Sequence, residues 1–234
     1  VIITTSYRIG ETGPTIDEDI QTKLYAGVAD FFAEELPLES FFTDETEDAI
    51  GLVGSRVVGP TIADDIKSGA VYSIIFSLIV VFLYILIRFR KWQFSLGAVV
   101  ALLHDVLFVM GVFSLADGLL PFQLEVDQAF IAAILTVIGY SLNDTVVVFD
   151  RIRENMGSRG KQNSVSVNKS LNQTLSRTFN TSLTTFFVLL VIFLFGGEVI
   201  RGFMFALLLG VLVGTYSSLF IATPVMFDAS DKES

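Results

Sequence analysis

Cysteine is absent and histidine occurs once, so neither a disulfide framework nor a thiolate metal site can be built, and zinc lacks its usual ligands. Charge is also scarce. Only 17% of the 234 residues are charged, against about 25% in an average soluble domain. Bases are outnumbered 15 to 25, a net charge of −10, which argues against a nucleic-acid binder. Proline and tryptophan are sparse, with five and one, whereas 52% of residues are hydrophobic. The apolar residues come in blocks too long for a soluble core, which excludes an ordinary water-soluble enzyme and a disordered regulator. A membrane protein, mainly α, remains.

The charge is unevenly placed. Residues 1–68 hold fourteen acids against four bases (Arg8, Lys23, Arg56 and Lys67), so this segment carries the whole net charge, and the eleven acids and eleven bases beyond it cancel. Within it, Val1–Ile9 alternates like a strand, Gly10–Pro14 reads as a turn, Thr15–Glu35 has helical spacing, and Ile50–Val58 returns to strand character. The expectation is that 1–60 is the C-terminal part of a small α+β domain outside the cytoplasm, the remainder of which lies upstream. Thr61 and Asp64 after Pro60 form a capping-box-like start for a helix that runs on into the membrane.

A bilayer takes about 20 helical residues to cross. Five stretches qualify, at about 69–87, 94–116, 128–149, 177–195 and 202–225, within a membrane region of 61–227. Short loops make neighbours antiparallel. The 88–91 loop (Arg88, Arg90, Lys91) and the 150–176 loop (Arg151, Arg153, Arg159, Lys161, Lys169) are basic, whereas 117–127 has Asp117, Glu125 and Asp127 and no base. Positive charge marks the cytoplasmic side. The expected topology therefore has the N-terminal domain outside, the 150–176 loop inside, and a cytoplasmic tail at 228–234.

Ionisable groups at membrane depth cost several kcal/mol and mark function by default. The second stretch carries His104-Asp105, the third Asn143-Asp144, and the fourth opens with Arg177 and continues with Thr178, Asn180, Thr181, Ser182, Thr184 and Thr185. Adjacent antiparallel helices bring Asp144 and Arg177 within pairing distance. One reading is a protonatable carboxylate beside a fixed cation; the other is an interfacial anchor with a structural acid. Adjacent helical residues point about 100° apart, so His104 and Asp105 are not expected to face each other. They suit a proton relay or plain packing equally. The last stretch repeats Gly202, Ala206, Gly210, Gly214, Ser218 and Ala222 every fourth residue. Such a stripe lets another helix approach closely, either within this chain or as a face against which a partner slides. One histidine makes a metal site improbable on composition. No Gly-x-Ser-x-Gly occurs, and Asp105 and Asp144 lack the flanks of an aspartyl protease; neither enzyme chemistry nor a cofactor is expected.

Several segments resemble the SecF family of protein-export membrane proteins, free or as the C-terminal half of a fused SecDF. They are Val58–Thr61, Leu103–Val106, Gly139–Asn155 (GYSLNDTVVVFDRIREN), Leu175–Thr178 with Thr181–Thr185, and Gly214–Ser218. The resemblance spans about 51–226. It implies a helix bundle like that of the RND superfamily, paired pseudo-symmetrically with SecD, in which proton flow promotes export after SecYEG and SecA have begun it, with YajC or YidC in the wider complex. The cargo is unfolded preprotein, the site the bacterial inner membrane. It places the proton pathway on Asp144 and Arg177, with Asn143, Thr181, Thr184 and Thr185 as weaker candidates. An RND-type exporter of small hydrophobic molecules would need larger outer domains than residues 1–68 supply, and a passive assembly scaffold would tolerate loss of both Asp144 and Arg177.

Overall fold

The structure, a computed structural model, describes residues 16–31, 60–122, 124–156 and 163–231. The expected strands at 1–9 and 50–58 and the turn at 10–14 lie outside them. Contacts divide the chain into two units, 1–68 and 69–234. In the first, the helical spacing after Thr15 appears as α1 (Ile16–Val28) followed by a 3₁₀ turn, Ala29–Phe31.

Six more helical segments follow: α2 (Pro60–Phe89), α3 (Trp92–Ala116), α4 (Gln128–Asn155), α5 (Ser164–Phe195), α6 (Glu198–Ser217) and α7 (Thr223–Asp231), the last two joined by a π-turn at Ser218–Ala222. Five helices are long and apolar enough to cross a membrane, α6 and α7 counting as one through the π-turn. No strand occurs among the described residues. α2 begins at Pro60 itself, where a missing N–H costs nothing. The side chains of Thr61 and Asp64, on which the capping-box expectation rests, lie outside the described ones.

Local chemistry sets the boundaries. α2 turns into α3 through Arg90, at φ 57°, and the turn after α3 uses Gly118 at φ 72°. Asp127 caps α4 by accepting from the Phe130 amide at 2.8 Å, and Asn163 caps α5 by accepting from Ser166 at 2.7 Å. That second cap makes α5 start thirteen residues before the apolar run at 177, and α4 continues six past 149. The loop expected at 150–176 is thus mostly helical. Its two helices are tied by Asn155, which donates to Ser170 (2.8 Å) and Gln173 (3.0 Å), and by Ser166 donating to the Asn155 carbonyl.

The last span is not one regular helix. Pro224 has no amide to return to the turn before it, so the helix widens there. Thr223 Oγ1 donates to the Ser218 carbonyl at 3.3 Å, within the widened segment.

The core of the second unit is built by α3, α4, α6, the π-turn and α7, with Leu102, Val109, Ile134, Ile138, Phe149 and Met226 among its fully buried side chains. Glycine decides how close α6 comes to α4: a Cβ at Gly210 would strike the Val137 side chain, and one at Gly214 would sit 2.9 Å from Ser141 Cβ. Gly97 in α3 likewise meets Ala222 and Met226. α2 joins the bundle at its Phe89 end. There Phe89 stacks on Phe94 (5.0 Å), Phe149 meets both rings edge-on, and Arg88 and Arg153 both pair with Asp150. Toward Gly69, α2 exposes Val71, Tyr72, Ile75, Phe76 and Ile79, and α5 buries only a stripe of Val167, Ser170, Thr174, Thr178 and Ser182.

Candidate functional site

Two carboxyl groups are buried in this bundle, and each gathers hydroxyls from neighbouring helices. Asp144, on α4, is 4% exposed. Its Oδ2 accepts from Ser182 Oγ of α5 at 3.2 Å, and Thr215 of α6 stands behind with Oγ1 2.6 Å from Ser182 Oγ and 2.7 Å from the Val211 carbonyl. Three helices thereby meet at one carboxylate. One turn before Ser182 on α5, the Thr178 hydroxyl is buried and makes no hydrogen bond.

Asp144 and Arg177 lie on contacting helices, Arg177 five residues before the Ser182 that donates to Asp144. Among the described residues, however, no ion pair within 4 Å joins them. The guanidinium is exposed on the open side of α5, with Asn180 beside it and Asn143 exposed on α4. The carboxylate therefore points inward to Ser182 while the cation lies outward. Thr181, Thr184 and Thr185 are not in this cluster. Their hydroxyls return to carbonyls of their own helix, Thr181 to Arg177 and Thr178, Thr184 to Asn180 and Thr181, Thr185 to Thr181. This back-bonding is the usual fate of a hydroxyl with no better partner in a helix. Tyr140 on α4 adds a 3.3 Å bond to the Thr181 carbonyl.

The second carboxyl, Asp105 of α3, has no exposed surface. Its Oδ2 accepts from Ser141 of α4 at 2.7 Å and Ser217 of α6 at 2.8 Å. Beside this pair, Thr145 and Ser218 are hydrogen-bonded at 2.9 Å. His104 Nδ1 lies 3.2 Å from Asp105 Oδ1, contrary to the expectation that adjacent residues do not meet. The Cα–Cβ bonds do diverge, but each side chain has two torsions and they close the gap from the side.

The small-residue stripe is the surface that allows both clusters. Ala206, Gly210, Gly214, Ser218 and Ala222 are buried and Gly202 is partly so; Gly214 faces Ser141, and Ser218 also donates to the Ser141 carbonyl at 3.2 Å. Sequence reasoning named Ser182 among the polar residues of the fourth stretch without giving it a site role, and did not single out Thr215, Ser141 or Ser217. Lone hydroxyls in apolar helices are too common to stand out. A usable signal was their register, because Ser141 and Asp144 lie three apart, as do Thr215 and Ser218, placing each pair on one face. Among the described residues no group of three His, Cys, Asp or Glu is arranged for a metal.

Comparison with known proteins gives a consistent result. The family described as "Protein export membrane protein SecD/SecF, C-terminal" matches residues 40–232. A protein translocase subunit SecF of Rhodothermus marinus is 60% identical over 178 residues, covering 76% of this chain and 58% of the relative. SecF subunits of Thermodesulfovibrio yellowstonii and Vibrio alginolyticus are 48% and 46% identical, covering 72% and 77% of this chain and 55% of each relative. The chain thus spans a little over half the length of these relatives. Among solved structures, the crystal structure of SecDF in a super-membrane-facing form is 38% identical with a TM-score of 0.65, covering 76% of this chain and 23% of that one.

Proposed function

The chain belongs to the SecD/SecF family of multi-pass protein-export membrane proteins, and from that membership we propose that it forms the SecF-type membrane part of an accessory to the Sec translocase. In this reading it works with SecD, whether as a separate subunit or in one polypeptide, and uses the proton-motive force to promote movement of unfolded preproteins through SecYEG after SecA has started them. YajC or YidC belong to the wider assembly. The basic end of the bundle, at Arg88–Lys91 and Arg151–Arg153, faces the cytoplasm and residues 1–60 face the other side. The protein is not an enzyme.

The observation that carries this reading is the burial of Asp144 against Ser182, which Thr215 backs, with Arg177 exposed on the same helix as Ser182. Exposed polar groups at membrane depth are costly against lipid. Arg177 and Asn180 on α5 and Asn143 on α4 are all exposed, which suits a covering protein surface, and the SecD bundle is the occupant this function requires. Burial in a low dielectric opposes a bare carboxylate, while the Ser182 bond and the Arg177 charge support it. A site balanced in this way can take up a proton from one side and release it on the other. Protonation changes Asp144 from a pure acceptor of the Ser182 hydrogen bond to a group that can also donate, so α5 is free to repack against α4 and α6. The motion of α5 is what would be transmitted to the outer domain.

The test is Asp144→Asn in the full-length protein assembled with SecD, assayed for export into inverted membrane vesicles with and without a proton gradient. The variant should co-purify with SecD and export at the rate seen without a gradient. Full gradient-stimulated export by an assembled Asp144→Asn complex would refute the assignment and favour a passive scaffold.

A further inference from the structure

Asp105 is the more deeply buried of the two carboxyls, and the function above leaves it unused. Both protons reaching its Oδ2 come from neutral hydroxyls, Ser141 at 2.7 Å and Ser217 at 2.8 Å. Among the described residues, His104 is its one ion-pair partner, at 3.2 Å. Among the described residues no Lys or Arg pairs with it. A buried carboxylate with hydroxyl donors and no fixed cation keeps a large desolvation cost, which an exchangeable proton removes.

His104 supplies the route. Its side chain is 36% exposed while that of Asp105 is fully covered. The ring lies against Phe108 and Tyr216, with centroids 6.1 and 6.4 Å away. When Nδ1–H donates to Asp105 Oδ1, Nε2 is left as an acceptor on a ring that reaches the bundle surface. We propose that His104 and Asp105 together bind one exchangeable proton and form a second intramembrane proton site, separate from Asp144. Uptake of one proton at Nε2 takes the pair from a net charge of −1 to an imidazolium–carboxylate pair of zero net charge. No other bond is made or broken.

The elements packed around this site contribute few other ionisable groups. Tyr216 of α6 lies beside the imidazole, and Asp144 of α4 is turned to Ser182. Asp228 and Asp231 belong to α7, which meets α3 near Gly97, eight residues and about 12 Å along the helix from Asp105. The π-turn contributes Ser218, a hydroxyl only. The pair also sits where its charge is felt by the bundle. Ser141 is on α4, three residues before Asp144, and Ser217 is on α6, two residues after Thr215, so both carboxyl clusters are pinned to the same two helices.

The inference rests on the proton-coupled reading for its place in the cycle, but the existence of the site can be measured by itself. The full-length protein with SecD, carrying Asp144→Asn to silence the first site, is titrated by infrared difference spectroscopy between about pH 5 and 9. A carboxyl or imidazole signal should remain. It should be lost in Asp144→Asn with His104→Gln, at a partly exposed position where folding is not at stake. Asp105→Asn, which removes the anion 3.2 Å from the ring, should lower its midpoint by about one pH unit or more. Absence of any remaining signal, or a signal untouched by both His104→Gln and Asp105→Asn, would overturn the proposal. That failure leaves gradient-dependent export through Asp144 standing, whereas an intact second titration with export indifferent to Asp144 would remove the proposed function alone.

Discussion

The contact between α4 and α6 can be tested with one methyl group. A Cβ added at Gly210 would overlap a γ-carbon of Val137 and lie 2.8 and 2.9 Å from its other γ-carbon and its Cβ. Rotating Val137 about χ1 moves its γ-carbons but not its Cβ, so the backbones must separate. Taking ordinary carbon contact as about 3.8 Å, the Cβ pair alone asks for a separation of about 0.9 Å. Overpacking of this kind costs about 1–3 kcal/mol, and the rigid partner puts Gly210→Ala at the upper end. The gain in helix propensity, about 1 kcal/mol at most, leaves a net loss near 2 kcal/mol. Gly111→Ala and Gly139→Ala meet nothing within 4 Å, so they gain propensity without the clash and should be neutral or stabilising. Val137→Ala removes both γ-carbons from the conflict. Combined with Gly210→Ala, it should recover about 1 kcal/mol relative to the sum of the singles. The assay is thermal unfolding of the detergent-purified complex, followed by loss of the monodisperse peak. Equal stability of Gly210→Ala and Gly139→Ala would refute the claim that this stripe sets the helix spacing.

Other outcomes follow from the same contacts. Thr215→Val deletes the hydroxyl 2.6 Å from Ser182 while keeping shape, and should lower gradient-stimulated export several-fold at normal complex yield, measured in inverted vesicles. Arg177→Met should abolish that stimulation and Arg177→Lys retain part of it, because a cation is kept but not the guanidinium plane; equal loss in both would point to shape over charge. Asn163→Ala removes the α5 cap and should cost about 1 kcal/mol in thermal unfolding, with export rate per assembled complex unchanged. Arg88→Ala breaks a partly exposed pair with Asp150 and should shift stability by less than about 1 kcal/mol, with the shift shrinking further in high salt.

The spans were legible because length and apolarity are summed over twenty residues, and no single side chain decides them. Asp105 and Asp144 were legible for the opposite reason: one acid in such a run is conspicuous. The positions of Thr178, Ser182 and Thr215 were not, since a hydroxyl in a helix bonds its own backbone or a neighbour with nearly equal ease, and only tertiary packing chooses. Thr181 and Ser182 show this. They are adjacent, but Thr181 bonds its own helix while Ser182 reaches Asp144. The start of α5 at Ser164 was hidden because nine of its first thirteen residues are polar, and a hydropathy reading ends where the apolar run does. The π-turn had a local cause in Pro224, but proline in a membrane helix signals a break without saying which kind.

The central claim is that a proton passes by way of Asp144. Proteoliposomes containing the full-length protein with SecD, loaded with a pH-sensitive dye and subjected to an imposed pH gradient and membrane potential, measure that passage directly. Wild-type complex should acidify the lumen faster than empty liposomes, and Asp144→Asn complex of the same content and orientation should match the empty ones. Proton entry through the Asp144→Asn complex at the wild-type rate would contradict the account.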